Sequence, residues 1–170
     1  MKIYEAGIDK YSLKGIIARN LLLIIWVVIG TVACWLLNPI IGWLYLGFAI
    51  LMVGIVLKKL NCTNCYYYDK WCCMGWGKFS ALLFKKGDMG KFSTSIGMKL
   101  APLTYGALTV IPLILILILI FKNFSLLKLI ILIFLFIISF YNGIIIRKKA
   151  CTLCKMRLIC PGSAARYPKQ

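Results

Sequence analysis

Four long apolar runs, separated by polar segments, dominate the pattern of this chain. They cover residues 21–37, 40–57, 101–121 and 126–146. The first two meet at Asn38-Pro39, where proline disfavours helix in the residue before it and marks a turn. Only the four residues KNFS separate the last two. Because a bilayer-spanning helix needs about 20 apolar residues, the pattern predicts an all-α integral membrane protein with four transmembrane helices in two helical hairpins.

The polar segments complete a division of the chain into five parts. We expect an amphipathic N-terminal segment (1–20), a first hairpin (21–57), a cysteine-rich loop (58–100), a second hairpin (101–146) and a cysteine-rich basic tail (147–170). In the first part, Leu13, Ile16 and Ile17 recur at helical spacing, which favours a short helix on the membrane surface. In the loop, FSALLF predicts an interfacial helix. The tyrosine run 66–68 there is typical of the head-group layer.

Composition supports the membrane class and narrows the partners. Hydrophobic residues make up 62% of the 170, only four residues are acidic, and histidine is absent. A soluble domain of this size would need a larger charged surface, and without histidine there are no His-ligated metal or haem sites. The formal charge of +17 comes from Lys and Arg that flank the apolar runs. This distribution indicates binding to anionic lipid head groups of a bilayer, and not to nucleic acid.

The positive residues also predict the orientation of the chain. Of the 21 Lys and Arg residues, 19 lie in the N-terminal segment, the central loop and the tail, which four spans place on one side of the membrane. The opposite side has only Lys122 and Lys128. The positive-inside rule therefore places both termini and the cysteine-rich segments in the cytoplasm, in a multi-pass protein of the cell membrane.

Cysteines in the two polar segments carry the candidate chemistry. The candidate metal ligands are Cys62, Cys65, Cys72, Cys73, Cys151, Cys154 and Cys160. Cytoplasmic thiols stay reduced, which favours metal binding or redox chemistry over structural disulfides. Two C-x2-C turns supply the four thiolates that tetrahedral zinc needs. The third cysteines also permit two zinc ions with shared sulfurs, or an iron–sulfur cluster on four of the seven. We favour zinc. The alternative without a metal is that these are small buried thiols that bind nothing.

The two cysteine segments resemble each other and indicate a parallel internal repeat. Aligning Cys62 with Cys151 also matches Cys65 with Cys154, as well as a lysine and a threonine, and Cys72 meets Cys160 after a one-residue gap. Each segment directly follows the second helix of a hairpin. Hairpins that run in the same direction are related by an axis along the membrane normal. Such a repeat would bring both segments together at one membrane surface. Whether Cys72 or Cys73 is the third ligand stays open.

The combination of four helices and paired cysteines also resembles that of membrane thiol oxidoreductases, which pass electrons to quinones. The two types concerned are the disulfide-bond-forming protein B type and the vitamin K epoxide reductase type. The resemblance rests on helix count and on the C-x2-C pairs Cys62/Cys65 and Cys151/Cys154. It implies that one pair exchanges disulfides, activated by nearby Lys and Arg that lower the thiol pKa. In those families the working cysteines lie on the oxidising side of the membrane, whereas the charges place them in the cytoplasm here.

Two functions follow from these patterns. The first is an accessory, assembly or docking subunit, without an enzymatic reaction, whose cysteine-ligated metal site faces a protein partner in the cytoplasm. The alternative is a membrane oxidoreductase that transfers electrons through an iron–sulfur cluster or a dithiol pair to a quinone or a partner subunit. Transport is disfavoured because the four apolar runs contain no Asp, Glu or His, and only Lys128 is charged there.

Overall fold

A computed structural model describes residues 3–165, and that part of the chain forms five helices and no strand. The helices are α1 (Leu13–Trp35), α2 (Pro39–Cys62), α3 (Trp76–Leu83), α4 (Ile96–Lys122) and α5 (Leu126–Thr152). A single 3-10 turn, Met89–Lys91, lies between α3 and α4. Four of the helices, all except α3, are long and apolar enough to cross a membrane. For residues 3–165, the prediction of an all-helical fold with four helices that could span a membrane is confirmed.

The helix starts explain where the observed bounds differ from the apolar runs. The Ser12 hydroxyl oxygen accepts the backbone N–H of Gly15 at 3.4 Å, so α1 begins at Leu13, eight residues before the predicted span. The helical spacing seen near the N-terminus therefore belongs to α1, and residues 3–12 contain no separate surface helix. At the first hairpin turn, the Asn38 side chain caps the N–H of Ile40 at 2.8 Å, with Pro39 at the first helical position.

Helices α2 and α5 both contain π-helical turns, at Met52–Val56 and Tyr141–Ile146. A second π-helical turn, Lys58–Cys62, ends α2. The turns Met52–Val56 and Tyr141–Ile146 both start ten residues before the first cysteine of the adjacent C-x2-C segment. Since π-helical turns inside α-helices are rare and interrupt the regular hydrogen bonding, their shared position is a second similarity between the two hairpins.

Helix α1 lies at the centre of the bundle, where it packs against α2, α4 and α5, while α4 also packs against α5 and the end of α2. The Asn61 amide at the end of α2 donates to the Gly97 carbonyl at the start of α4, at 3.1 Å. Likewise the Tyr11 hydroxyl, just before α1, donates to the Ala150 carbonyl near the end of α5, at 2.9 Å. Both hairpins therefore run in the same direction and open at the same end of the bundle.

A proline in α4 leaves one helix carbonyl free to bond to the other hairpin inside the bundle. Pro112 has no N–H, so it cannot donate to the carbonyl of Leu108 four residues earlier. The Tyr45 hydroxyl of α2 donates to that carbonyl instead, at 2.8 Å, and both Tyr45 and Leu108 are buried. Gly30 of α1 permits this approach, because a Cβ there would lie 2.9 Å from Cζ of the Tyr45 ring. The Trp26 indole of α1 also donates to the Ser139 hydroxyl of α5, at 2.8 Å.

Candidate thiol-rich metal centre

Both C-x2-C segments form the same turn at the end of a long helix. Cys62 is the last residue of α2, and Cys151 is in the last turn of α5. In each turn the N–H of the second cysteine donates to the carbonyl of the first, from Cys65 to Cys62 at 3.3 Å and from Cys154 to Cys151 at 3.2 Å. We name the surrounding part of the molecule, residues 3–12, 62–95 and 151–165, the thiol end.

The two cysteine segments also resemble each other at their third cysteines, Cys72 and Cys160. Three residues after Cys72, Gly75 donates its N–H to the Cys72 carbonyl at 2.9 Å. Three residues after Cys160, Ser163 donates to the Cys160 carbonyl at 3.1 Å. The loop preceding Cys72 is one residue longer than the loop preceding Cys160, yet both loops end in the same local turn.

Backbone N–H groups point at the sulfur atoms of three cysteines, and in each case one donor lies two residues further along the chain. The donor and acceptor pairs are Tyr67 to Cys65, Met74 to Cys72 and Met156 to Cys154. The sulfur of Cys72 also accepts from the N–H groups at the start of α3, those of Trp76 and Gly77. Because hydrogen bonds to a charged group favour the charged form, these donors act to lower the pKa of each thiol. At Cys65 and Cys154 burial outweighs them and raises the pKa, whereas at Cys72 the pKa is lowered.

Five of the seven candidate cysteines pack in one apolar cluster. They are Cys65, Cys72, Cys73, Cys154 and Cys160, and they surround the buried side chains of Tyr11, Ile16, Tyr67, Phe92 and Met156. The remaining two, Cys62 and Cys151, lie outside this cluster. Cys34, in α1, is fully buried in a different cluster in the middle of the bundle. The structure therefore brings thiols of both segments together, although not in the C-x2-C pairs that the sequence favours.

The thiols influence each other's ionisation across the two segments. Burial raises the pKa of Cys65, which the neighbouring thiols Cys62, Cys154 and Cys72 raise further, and burial raises the pKa of Cys154 to about 11. At Cys65 and Cys154, burial therefore outweighs the expected lowering of the thiol pKa by nearby cations. The S–H of Cys73 donates to the sulfur of Cys72, which lowers the pKa of Cys72 to about 6 and raises the pKa of Cys73.

The N-terminal segment ties the two cysteine segments together. The N–H of Tyr4 donates to the Lys155 carbonyl, and the N–H of Ile8 donates to the Leu153 carbonyl, both at 3.0 Å. The Tyr67 hydroxyl donates to the Ile8 carbonyl at 2.6 Å and accepts the N–H of Lys155 at 3.1 Å. One tyrosine of the first cysteine segment thus bridges the N-terminus and the tail. Only 2% of its surface is exposed, so the prediction that the whole tyrosine run lies in the head-group layer is wrong at Tyr67.

Two arginines place positive charge at the thiol end. Arg19 of α1 donates to the Cys73 carbonyl at 3.0 Å. Arg157 is 7% exposed, lies 3.6 Å from the ring centre of Tyr4 and donates to the Thr152 carbonyl at 3.1 Å. Among the described residues, Arg157 forms no ion pair and its Nε atom has no acceptor. A buried cation without a counterion is costly, so this position favours an anionic neighbour.

All eight cysteines lie in the described part of the chain, and none of them forms a disulfide there. In residues 3–165, no three His, Cys, Asp or Glu side chains form a group arranged to hold a metal ion. The structure thus provides soft donors, thiolate-stabilising N–H groups and positive charge, while the sulfur atoms are not drawn into one coordination sphere.

Some residues of this centre give no signal in the sequence. Tyr11, Met156 and Arg157 are buried there, but their contacts join segments that lie more than 50 residues apart. The one available hint is position: Tyr67 and Met156 each stand two residues after the second cysteine of a C-x2-C turn. Comparisons with protein-family models, with curated proteins and with solved structures find no match to this chain.

Proposed function

We propose that this is a multi-pass protein of the cell membrane whose thiol end binds a metal ion through cysteine thiolates, with zinc favoured. Its role is that of an accessory, assembly or docking subunit for a protein partner. The observation that supports the proposal is that both C-x2-C segments form the same turn at a helix end, and that five of their cysteines pack against one cluster. Thiols from two such turns are the ligand type that structural zinc sites use.

The charges of the chain support a cytoplasmic position for the thiol end. The helix ends that open toward this end carry nearly all of the positive residues, and the opposite turns carry Lys122 and Lys128. By the positive-inside rule this end and both termini face the cytoplasm, next to anionic lipids. Thiols stay reduced and available to a metal in that compartment.

A bound ion would neutralise the thiolates and link the two hairpins. The candidate ligands come from the segment after α2 and from the segment after α5, so a shared ion would fasten the open end of the bundle. Structural zinc sites with four thiolates contribute directly to folding. Closing the sulfur atoms around an ion requires their side chains to turn from the arrangement described above. The result would be a rigid basic surface, suited to docking an acidic partner.

Metal analysis of the purified full-length chain tests this proposal. We expect about one zinc per chain by elemental analysis, no visible absorption, and loss of the metal in Cys154→Ser. Cys34→Ala is the matched control, because it removes a thiol far from the thiol end and should keep the metal. Iron with brown absorption would change the ion to an iron–sulfur cluster. Neither zinc nor iron in stoichiometric amount, from anaerobic and reduced preparations, would overturn the proposal.

One observation favours the electron-transfer alternative, namely the hydrogen bond between the adjacent thiols Cys72 and Cys73. Oxidation of these two thiols to a disulfide would release two protons and pass two electrons to a quinone or a partner subunit. A redox titration with quantification of both thiols by mass spectrometry checks this alternative. It requires reversible loss of two thiols; a zinc-bound protein in which both stay reduced across the titration would eliminate it.

A further inference from the structure

Helix α3 begins at the level where two of the long apolar runs end. The run in α1 starts at Leu21 and the run in α2 stops at Leu57. The Trp76 indole, at the first residue of α3, donates to the Asn20 amide oxygen at 3.2 Å. The Lys58 ammonium lies 5.0 Å from the centre of the Trp76 ring. Because Asn20 and Lys58 directly flank the apolar runs, the start of α3 is level with the ends of two candidate membrane spans.

One face of α3 is apolar and exposed. Phe79, Leu82 and Leu83 are spaced by three and four residues, so they share this face, and Leu82 is 82% exposed. Two exposed lysines, Lys85 and Lys86, follow the helix. An apolar face with lysines beside it is typical of a short helix that lies in the head-group layer of a membrane.

A cavity of about 450 Å³ adjoins this face, between α3 and the loop that precedes it. Its lining residues are Tyr68, Asp69, Trp71, Lys78, Ala81 and Leu82. The volume lies within the range of about 300–1,000 Å³ that is usual for small-molecule sites. Since Leu82 belongs to the cavity and to the apolar face, a molecule in the cavity would continue along that face.

Two opposite charges line the polar part of the cavity. The Lys78 ammonium lies 3.0 Å from a carboxylate oxygen of Asp69, and the two side chains are 45% and 63% exposed. Exposed ion pairs contribute little to stability, so each group is available to a ligand. A purely anionic ligand would meet the Asp69 carboxylate, one of only four acidic side chains in the chain. The lining therefore favours a ligand with one charge of each sign.

The backbone fixes these charges next to each other. Asp69 has a φ of 59°, in the left-handed region, and its N–H donates to the Gly77 carbonyl at 3.1 Å. This bond ties Asp69 to the residue that precedes Lys78. Asn and Asp enter the left-handed region more readily than most other residues. The charge at this position can therefore be removed by Asp69→Asn without straining the backbone.

Two aromatic side chains complete the lining. Trp71 packs against the apolar cluster of the thiol end, and the Tyr68 hydroxyl donates to the Phe84 carbonyl at 2.7 Å. Both rings are thus held from outside the cavity. Aromatic rings attract ammonium groups, so they support binding of a cation beside Asp69.

We propose that this cavity binds the head group of a zwitterionic phospholipid from the surrounding membrane. The lipid phosphate binds the Lys78 ammonium, and the lipid ammonium binds the Asp69 carboxylate beside Tyr68 and Trp71. The acyl chains leave along the apolar face of α3, past Leu82. This site involves none of the thiols, so it goes beyond the proposed metal centre and does not depend on it.

Native mass spectrometry of the full-length chain tests the site, with equal amounts of phosphatidylethanolamine and phosphatidylglycerol in the detergent. We expect several-fold more bound phosphatidylethanolamine than phosphatidylglycerol, and loss of this preference in Asp69→Asn. Asp88→Asn is the matched control. It makes the same charge change outside the cavity, and an asparagine there still accepts the N–H of Gly90, which Asp88 accepts at 2.8 Å. The control should keep the preference.

A second pair of variants tests the phosphate contact. Lys78→Gln should lose most of the bound phosphatidylethanolamine, whereas Lys86→Gln, which removes an exposed lysine outside the cavity, should retain it. Equal retention of the two lipids by the unmutated chain, or more phosphatidylglycerol, would overturn the proposal, because attraction of a basic surface to anionic lipid would then account for binding. An unchanged preference in a folded Asp69→Asn variant would overturn it as well. None of these results bears on the metal content that tests the proposed function.

Discussion

The middle of the bundle and the thiol end are held together by different kinds of contact. In the middle, the hairpins meet through packed apolar side chains and through two polar bonds, from Tyr45 to Leu108 and from Trp26 to Ser139. At the thiol end, segments distant in sequence are joined by hydrogen bonds to backbone groups, as at Tyr67, Tyr11 and Ile8. In a bilayer, apolar burial does not by itself drive helices together, so the thiol end bears much of the specificity of assembly.

The largest effect is expected where the thiol end leaves no room for a side chain. A Cβ at Gly77 would collide with the Tyr67 carbonyl oxygen and lie 2.6 Å from that of Lys70. These are backbone atoms and cannot turn aside, so Gly77→Ala should lower the free energy of unfolding by about 3 kcal/mol, the upper end of overpacking effects. Thermal denaturation in detergent, followed by size-exclusion chromatography, measures this change.

The matched control for that variant lies on the exposed face of α2. At Gly47 of α2 an added Cβ would meet no atom within 4 Å. Gly47→Ala should therefore be neutral or stabilise the chain by up to about 1 kcal/mol through helix propensity. Equal destabilisation by both variants would contradict a specific collision at Gly77.

We expect a smaller loss of stability when the hydrogen bond from Tyr45 to the Leu108 carbonyl is removed. Tyr45→Phe removes the only side-chain donor that the structure provides for the Leu108 carbonyl among the described residues, at an expected cost of about 1–2 kcal/mol. Pro112→Ala would restore the missing N–H at that turn of α4. In the Pro112→Ala background, Tyr45→Phe should therefore cost about 1 kcal/mol less, a coupling that a double-mutant cycle measures. Additive effects of the two substitutions would show that Tyr45 does not substitute for the lost helix hydrogen bond.

These two regions also differ in how far the sequence predicts them. The four spans follow from length and hydropathy, and the breaks at Asn38-Pro39 and before Leu126 come within a residue of the observed helix starts. Such signals are local. The thiol end is different, because the C-x2-C spacing identifies ligand types but not which sulfurs meet. Which sulfurs meet depends on contacts such as the hydrogen bond from the Tyr67 hydroxyl to the Ile8 carbonyl. Because every residue type has a backbone carbonyl, the sequence does not identify such a partner.

The start of α1 shows the same limit within a single helix. The apolar run begins near residue 21, yet the capping by Ser12 extends the helix to Leu13. Ile16 consequently points into the thiol cluster and is 6% exposed, instead of lying on the membrane surface. Amphipathic spacing is equally compatible with a lipid surface and with a protein core, and tertiary contacts decide between them.

The smallest expected effect concerns the reactivity of one thiol and leaves the fold unchanged. The pH dependence of alkylation at Cys72 tests its hydrogen bonding. In metal-free protein its pKa of about 6 means that the thiol is protonated below pH 6 and is a thiolate above it. Its alkylation rate by iodoacetamide should therefore rise up to about pH 7 and then level off, because only the thiolate reacts. The rate at Cys154, whose pKa is about 11, should still be rising at pH 10. Pulse alkylation with mass spectrometry follows both sites in one sample.

The variant Cys73→Ala identifies the cause of this low pKa. It removes the S–H donor that stabilises the Cys72 thiolate most strongly, so the midpoint for Cys72 should move up toward the ordinary cysteine value of about 8.5. It should stop below that value, since the N–H groups of Met74, Trp76 and Gly77 still point at the sulfur. A midpoint unchanged near 6 would assign the whole effect to the backbone donors at the start of α3. A rate at unmutated Cys72 that keeps rising above pH 8 would contradict a stabilised thiolate at this position.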